Sequence, residues 1–153
     1  MPKIDLPDWT EEPDYVEPVT GARLAAYAHR KLGDAAGLTQ FGAVIERLPP
    51  GAQSSLRHWH EAEDELLYLL EGRLTLIEDR ETELVAGDAA GWRAGDPVAH
   101  CLENRGDAPA VYLVVGTRAG FDVIHYPDHD LVVTRDGDRR SYARADGTLI
   151  KET

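Results

Sequence analysis

Cysteine and long apolar runs are both scarce in this chain. Cys101 is the only cysteine among 153 residues, so no internal disulfide can form, which fits a reducing compartment. The N-terminus has no apolar stretch of signal-peptide length, and nowhere does a run approach the roughly 20 apolar residues that a membrane helix needs. We therefore predict a cytoplasmic protein that does not associate with membranes.

Positive charge is scarce as well. The chain has 16 lysine and arginine residues against 28 aspartate and glutamate residues, a formal net charge of −12. An acidic surface repels phosphate backbones, which argues against a nucleic-acid partner. The sequence also has no glycine-rich phosphate loop and no nucleophile-elbow motif. We therefore expect a small-molecule ligand, bound by neither a phosphate loop nor a nucleophile-elbow site.

Sustained helical periodicity is missing too. The best helical candidate, residues 23–31, is short and ends at Gly33. Short apolar segments separated by glycine, proline and aspartate turns instead favour an antiparallel sandwich or barrel. We predict strands at residues 23–30, 38–48, 54–60, 65–70, 73–79, 82–85, 89–93, 97–103 and 110–117.

Three parts of the chain can be distinguished by composition. Residues 1–21 contain four prolines, which exclude a helix and predict an extended arm, with Trp9, Tyr15 and Val16 as candidate anchors. Residues 22–120 hold the strand-rich barrel. Residues 121–153 repeat the strand-and-turn pattern, with Asp-Gly turn dipeptides, and predict one or two extra strands or a hairpin packed on the barrel.

Four side chains form a plausible set of metal ligands: His58, His60, Glu65 and His100. Residues i and i+2 of a strand point to one face, so His58 and His60 project together. Glu65 opens the next segment, which would return antiparallel and bring its carboxylate back to the histidine pair. Alternation around His100 predicts that Val98 and Leu102 point inward with it and that Cys101 points outward.

Three neutral imidazoles and one carboxylate suit a borderline divalent ion such as zinc, iron, manganese or nickel. Four protein ligands leave one or two positions open on a five- or six-coordinate ion for water or substrate. The residues themselves do not decide which metal is bound. Structural zinc sites usually use thiolates, and one cysteine cannot supply them.

These residues resemble the two motifs of the cupin superfamily. The first runs from Gly51 through His58, His60 and Glu65 to Gly72, and the second from Gly87 through Gly95 and His100 to Asn104. The resemblance implies a double-stranded β-helix, or jelly-roll, with the metal held by the three histidines and the glutamate. The departures are one extra residue between Gly51 and His58, two extra residues between Gly95 and His100, and Arg93 in place of a proline.

The resemblance implies a fold and a metal but not a reaction, because one fold serves many chemistries. The chain is similar to small single-domain bacterial cupins. We expect either a metal-dependent enzyme on a small polar organic molecule, of oxygenase, isomerase or lyase type, or a non-catalytic sensory module that binds a metal or small molecule. No obvious general base remains once the metal holds three histidines, so the catalytic residues stay unknown.

Further expectations concern residues outside the metal set. Both faces of the segment 65–70 are apolar, so a second subunit, the arm or the C-terminal hairpin should cover the outer one, which motivates a homodimer. His29 is expected on the surface, and the polar segment 125–130 is expected to be a loop. Arg93 lies near the predicted barrel mouth and is a candidate to bind a substrate carboxylate, although a solvated loop arginine is the simpler interpretation.

Overall fold

The computed structural model describes residues 3–153, and nearly all of its regular structure is β-strand. The strands are β1 (Thr10–Glu12), β2 (Tyr15–Val16), β3 (Arg23–Leu24), β4 (Tyr27–Lys31), β5 (Phe41–Leu48), β6 (Trp59–His60), β7 (Glu65–Glu71), β8 (Arg73–Ile77), β9 (Glu81–Val85), β10 (Ala89–Trp92), β11 (Cys101–Glu103), β12 (Ala110–Thr117), β13 (Phe121–Tyr126), β14 (Leu131–Asp136), β15 (Arg139–Ala143) and β16 (Leu149–Glu152). Two short helices, α1 (Leu32–Ala35) and a 3₁₀ helix (Pro127–His129), complete the elements. Neither helix in this part of the chain is long and apolar enough to cross a membrane.

The strands form antiparallel sheets that wrap into a barrel. One sheet has six strands in the order β1-β4-β5-β12-β7-β10, and it faces a three-stranded sheet, β11-β8-β9, and a five-stranded sheet, β16-β15-β14-β13-β6. Isolated bridges between His58 and His100 and between Gln53 and Glu103 connect the two motif regions. The predicted all-β double-stranded β-helix is therefore confirmed.

Apolar side chains fill one end of the barrel, and the polar residue Glu65 lies towards the other. In the six-stranded sheet, Leu69 pairs with Tyr112, while Glu65 pairs with Gly116 four residues away along β7. The main core lies at the Leu69 end. It comprises the buried residues Leu48, Ala52, Leu67, Leu69, Leu74, Leu76, Leu84, Leu102, Ala110 and Tyr112. Glu65 therefore lies at the opposite end of β7, where the barrel opens.

Gly72 makes the tight connection between β7 and β8. Its φ is +84°, in the left-handed region, and an added Cβ would lie 3.0 Å from both the Ala110 Cα and the Pro109 carbonyl oxygen. Any other residue would combine backbone strain with a clash against backbone atoms. This is the physical reason for a glycine at the end of the first motif.

Two predicted strands are much shorter than expected. Only Trp59–His60 of the segment 54–60 and Cys101–Glu103 of the segment 97–103 join a sheet. Pro97 has no N–H to donate and disfavours a ladder there, and a segment rich in serine precedes His58. The prediction of one strand over 23–30 is also wrong, because it is divided into β3 and β4.

The N-terminal arm lies along the edge of the six-stranded sheet. Strand β1 pairs with β4, and the Trp9 ring packs against two guanidinium groups, 4.4 Å from Arg30 and 4.5 Å from Arg47. Tyr15 and Val16, the other candidate anchors, are exposed. Because β1 covers β4, His29 is buried and its Nε2 lies 2.8 Å from Glu12 Oε1, so the prediction of a surface histidine is wrong.

The C-terminal part contains more structure than a single hairpin. Strands β13 to β16 form successive antiparallel pairs, and β13 also pairs with β6 of the barrel. Ile124, Leu131 and Val133 form a second buried cluster beneath this sheet. The segment 125–130 is not the expected loop, since His125 and Tyr126 end β13 and the 3₁₀ helix follows. The limits proposed above for arm, barrel and extension remain predictions.

Candidate metal centre

Glu65 is the point at which the predicted ligands meet. Its Oε2 lies 2.7 Å from His100 Nε2, 3.9 Å from His58 Nε2 and 3.8 Å from His60 Nε2. Glu65 begins β7, His60 ends β6, and the bridge between His58 and His100 brings the second motif alongside the first. The fold thus brings all four predicted residues to the open end of the barrel.

The three histidines are oriented by the same device. Each Nδ1 faces an oxygen: His58 faces the Leu56 carbonyl at 2.7 Å, and His100 faces the Val98 carbonyl at 3.1 Å. His60 Nδ1 faces Asp122 Oδ2 at 2.6 Å. An Nδ1–H that donates to such an acceptor leaves the Nε2 lone pair free, which is the tautomer that binds a metal. His100 Nε2 must instead carry a proton whenever it donates directly to Glu65 Oε2, from which it lies 2.7 Å away. All three Nε2 atoms therefore face Glu65.

Burial favours the protonation states that metal ligands need. Desolvation lowers the pKa of His58 to about 4, so its imidazole is neutral at pH 7. Burial alone would raise the pKa of Glu65, but the hydrogen bond with His100 and the nearby imidazoles outweigh it and hold that pKa below its usual value. A neutral nitrogen donor and an ionised oxygen donor are thus available together.

The residues fit a divalent ion. Neighbouring ligand atoms on one ion at metal–ligand distances of about 2.1 Å lie about 3 Å apart. The 2.7 to 3.9 Å separations around Glu65 Oε2 are close to that spacing. The ligand atoms of His58, Glu65 and His100 form one compact group. The Nε2 atom of His60 faces this group, while its Nδ1 atom is hydrogen-bonded to Asp122.

Aromatic rings form two walls of the site. Trp92 stacks on His100 with ring centroids 3.6 Å apart, and its Nε1 donates to Glu78 Oε1 at 2.7 Å. On the other side, the Tyr126 ring lies 5.6 Å from the His58 ring. Beside the Trp92 ring a cavity of about 170 Å³ opens, which Glu46, Leu102 and Tyr112 also border.

Asp122 is a site residue that the motif pattern does not contain. It is fully buried, and besides His60 it accepts a hydrogen bond from the Ala62 N–H at 2.9 Å. It belongs to β13, 62 residues after His60. A signal was present in the sequence, because alternation in β13 places Asp122 on the same face as the buried Ile124. An acidic residue in an inward position needs a partner.

Some residues around the site are not where alternation placed them. Cys101 is buried rather than outward, with Gln53 Nε2 donating to its Sγ at 3.5 Å, and burial raises its pKa to about 11. Val98 is 36% exposed rather than inward. Val98 differs because regular strand geometry starts only at Cys101. Arg93 is exposed and does not border the cavity.

Comparison with known proteins supports both the fold and the motifs. Residues 44–116 match the family model described as Cupin domain. No curated protein matches the chain. A crystal structure of a sugar phosphate isomerase of the cupin superfamily from Silicibacter pomeroyi has 42% sequence identity and a TM-score of 0.88, with 98% of this chain and 97% of that chain covered.

Two other solved structures are more distant. A putative sugar phosphate isomerase from Acidithiobacillus ferrooxidans has 28% identity and a TM-score of 0.77, over 82% of this chain and 81% of that chain. A polyketide cyclase from Streptomyces resistomycificus has 27% identity and a TM-score of 0.52, over 60% of this chain and 64% of that chain. Since the Silicibacter pomeroyi protein is 42% identical over almost the whole of both chains, this chain belongs to the cupin superfamily.

Proposed function

We propose that the protein is a metal-dependent isomerase of a sugar phosphate. The observation that carries the proposal is the 42% identity, over almost the full length, to a protein described as a sugar phosphate isomerase. The four-residue site supports it, because His58, His60, Glu65 and His100 would hold one divalent ion. When bound, such an ion supplies a Lewis acid that polarises a carbonyl oxygen.

The cavity favours the sugar part of such a substrate over its phosphate. Among the described residues no arginine or lysine lines the cavity, while two carboxyl groups, Glu46 and Glu65, do. A phosphate group within it would meet negative charge and no cation other than the metal. We therefore infer that the carbonyl end of the sugar enters the cavity and that the phosphate remains at the mouth.

The proposal is tested with protein prepared without a nickel-affinity tag. Elemental analysis identifies the metal, and the protein is reconstituted separately with zinc, iron, manganese and nickel. Each form is incubated in D₂O with a panel of aldose and ketose phosphates, and proton NMR follows their interconversion. We expect at least one aldose–ketose pair to interconvert, with loss of activity in chelator. If every metal form fails to convert every member of the panel, the proposed function is wrong.

A homodimer is a second proposal, and it rests on the outer face of the six-stranded sheet. Leu66, Tyr68 and Leu70 of β7 remain 49%, 42% and 39% exposed, so neither the arm nor the C-terminal sheet covers them. The register continues this face across β12, where Leu113 is beside Tyr68 and Val115 is beside Leu66. A contiguous apolar face that no other part of the described chain covers suits a second copy of the chain, whose own apolar face would bury it.

We expect light scattering at micromolar concentration to give twice the chain mass of 16.9 kDa. Tyr68→Glu should shift the protein to the monomer mass, because it places a charge at the centre of the apolar face. Glu83→Gln, an exposed change on β9, is the control and should remain dimeric. A wild-type protein that is monomeric at this concentration would contradict the proposal.

A further inference from the structure

The cavity contains a second polar pair that the metal ligands do not use. Glu46 on β5 and Tyr112 on β12 are direct cross-strand neighbours, and the Tyr112 hydroxyl donates to Glu46 Oε2 at 2.6 Å. Both side chains border the same cavity as Glu65, His58 and His100. The metal ligands are therefore at one end of the cavity and a carboxyl group is further in.

The environment of Glu46 combines apolar side chains with His29, its direct cross-strand neighbour on β4. Leu67, Leu102 and Val114 border the same space. Burial raises the pKa of Glu46 and outweighs the Tyr112 hydrogen bond and the nearby His29, which lower it, while the charge of Glu65 adds a smaller upward contribution. A buried carboxyl group whose pKa is raised and which borders a cavity is typical of an acid–base group.

The two oxygens of Glu46 are differently placed. Tyr112 holds Oε2, which fixes the orientation of the carboxyl group. Among residues 3–153, Oε1 receives no hydrogen bond, and it is not one of the polar atoms sealed from solvent without a partner. A carboxyl group that served only to satisfy Tyr112 would need one oxygen, whereas this one keeps a second accessible from the cavity.

We propose that Glu46 is the general base of the isomerisation, and this assignment rests on the proposed function. The Glu46 carboxylate takes the proton from the substrate carbon next to the carbonyl. The electron pair of that C–H bond forms the carbon–carbon double bond, and the π pair of the carbonyl moves onto its oxygen, which gives an enediolate. The hydroxyl proton moves from one substrate oxygen to the other, and the proton on Glu46 exchanges with solvent. Glu46 then protonates the former carbonyl carbon as the π pair of the double bond leaves for it, and the oxygen pair on the other carbon forms the new carbonyl. Atoms and electrons balance without an oxidant or reductant.

The test compares Glu46→Gln with the wild-type protein on the substrate pair that the NMR panel identifies. The amide keeps an oxygen for Tyr112, so we expect an unchanged circular dichroism spectrum and metal content. Turnover should fall by about 10²–10⁴-fold, the usual contribution of a general base. Deuterium incorporation from D₂O at the carbon next to the carbonyl should fall in parallel. Glu83→Gln, the same change on the exposed strand β9, should retain wild-type turnover.

The remaining outcomes separate the role of Glu46 from the isomerase activity itself. Wild-type turnover with undiminished activity of Glu46→Gln overturns the role of Glu46 and leaves the isomerase intact. Wild-type isomerisation without deuterium incorporation points to direct hydride transfer and also overturns only Glu46. No isomerisation by the wild-type protein overturns both. If Glu46→Gln does not fold, Glu46→Asp replaces it in the test, because aspartate keeps the carboxylate but withdraws it by one carbon. Reduced turnover of Glu46→Asp with normal metal content supports the role of Glu46. Undiminished turnover contradicts it.

Discussion

Glu65→Gln is expected to yield a folded protein that no longer retains a metal ion. Glu65 Oε2 is the atom around which His58, His60 and His100 converge, at 2.7 to 3.9 Å. The substitution preserves the size of the side chain but removes its charge, and a neutral amide is a far weaker ligand than a carboxylate. The remaining imidazoles would have to hold the ion without its only anionic partner.

The loss of affinity should exceed the 10–100-fold that removal of an outer-shell partner typically causes. Elemental analysis after dialysis gives the metal content, and titration calorimetry with Zn²⁺ and Mn²⁺ gives the affinity. Glu83→Gln is the matched control, since Glu83 is exposed and forms a surface ion pair with Arg73. A Glu65→Gln protein with the metal content of the wild type would show that the ion is bound elsewhere or that the histidines suffice.

Local alternation and turn chemistry predict the part of the site that lies within the two motifs. His58 and His60 share a face because they are two residues apart, and Glu65 returns after a short connection. These relations need only neighbouring segments of chain. Alternation fails at Val98, because the chain before Cys101 is not a regular strand and the two-residue period does not apply there.

The residues that sequence reasoning missed depend on pairing between distant strands. Asp122 reaches His60 because β13 pairs with β6, and no local pattern specifies that partnership. Glu46 lies opposite Tyr112, 66 residues away. Both have a common local signature, an acidic residue in phase with buried apolar neighbours: Asp122 with Ile124, and Glu46 with Leu48. An inward-facing acid in an otherwise apolar strand therefore indicates a partner that the sequence alone does not identify.

Asp122→Asn is expected to weaken metal binding although Asp122 itself would not touch the ion. One carboxylate oxygen accepts from His60 Nδ1–H and the other from the Ala62 N–H, at 2.6 and 2.9 Å. An asparagine offers one oxygen and one NH₂ group. If the oxygen stays with Ala62, the NH₂ group faces His60 Nδ1, and the imidazole must carry its proton on Nε2, where the metal would bind. If the amide rotates, the buried Ala62 N–H loses its acceptor, at a cost of about 1–3 kcal/mol of folding free energy.

Metal affinity of Asp122→Asn should therefore fall about 10–100-fold relative to the wild type, which calorimetry measures. A purely structural role for Asp122 would lower the free energy of unfolding without changing the His60 tautomer. Long-range proton–nitrogen NMR of the metal-free protein distinguishes the two, because a positioning role predicts Nδ1–H in the wild type and a larger Nε2–H population in Asp122→Asn. Asp138→Asn, an exposed change in the same C-terminal sheet region, should alter neither quantity. Unchanged affinity and an unchanged tautomer in Asp122→Asn would show that the Nδ1 hydrogen bond does not determine how His60 presents its Nε2.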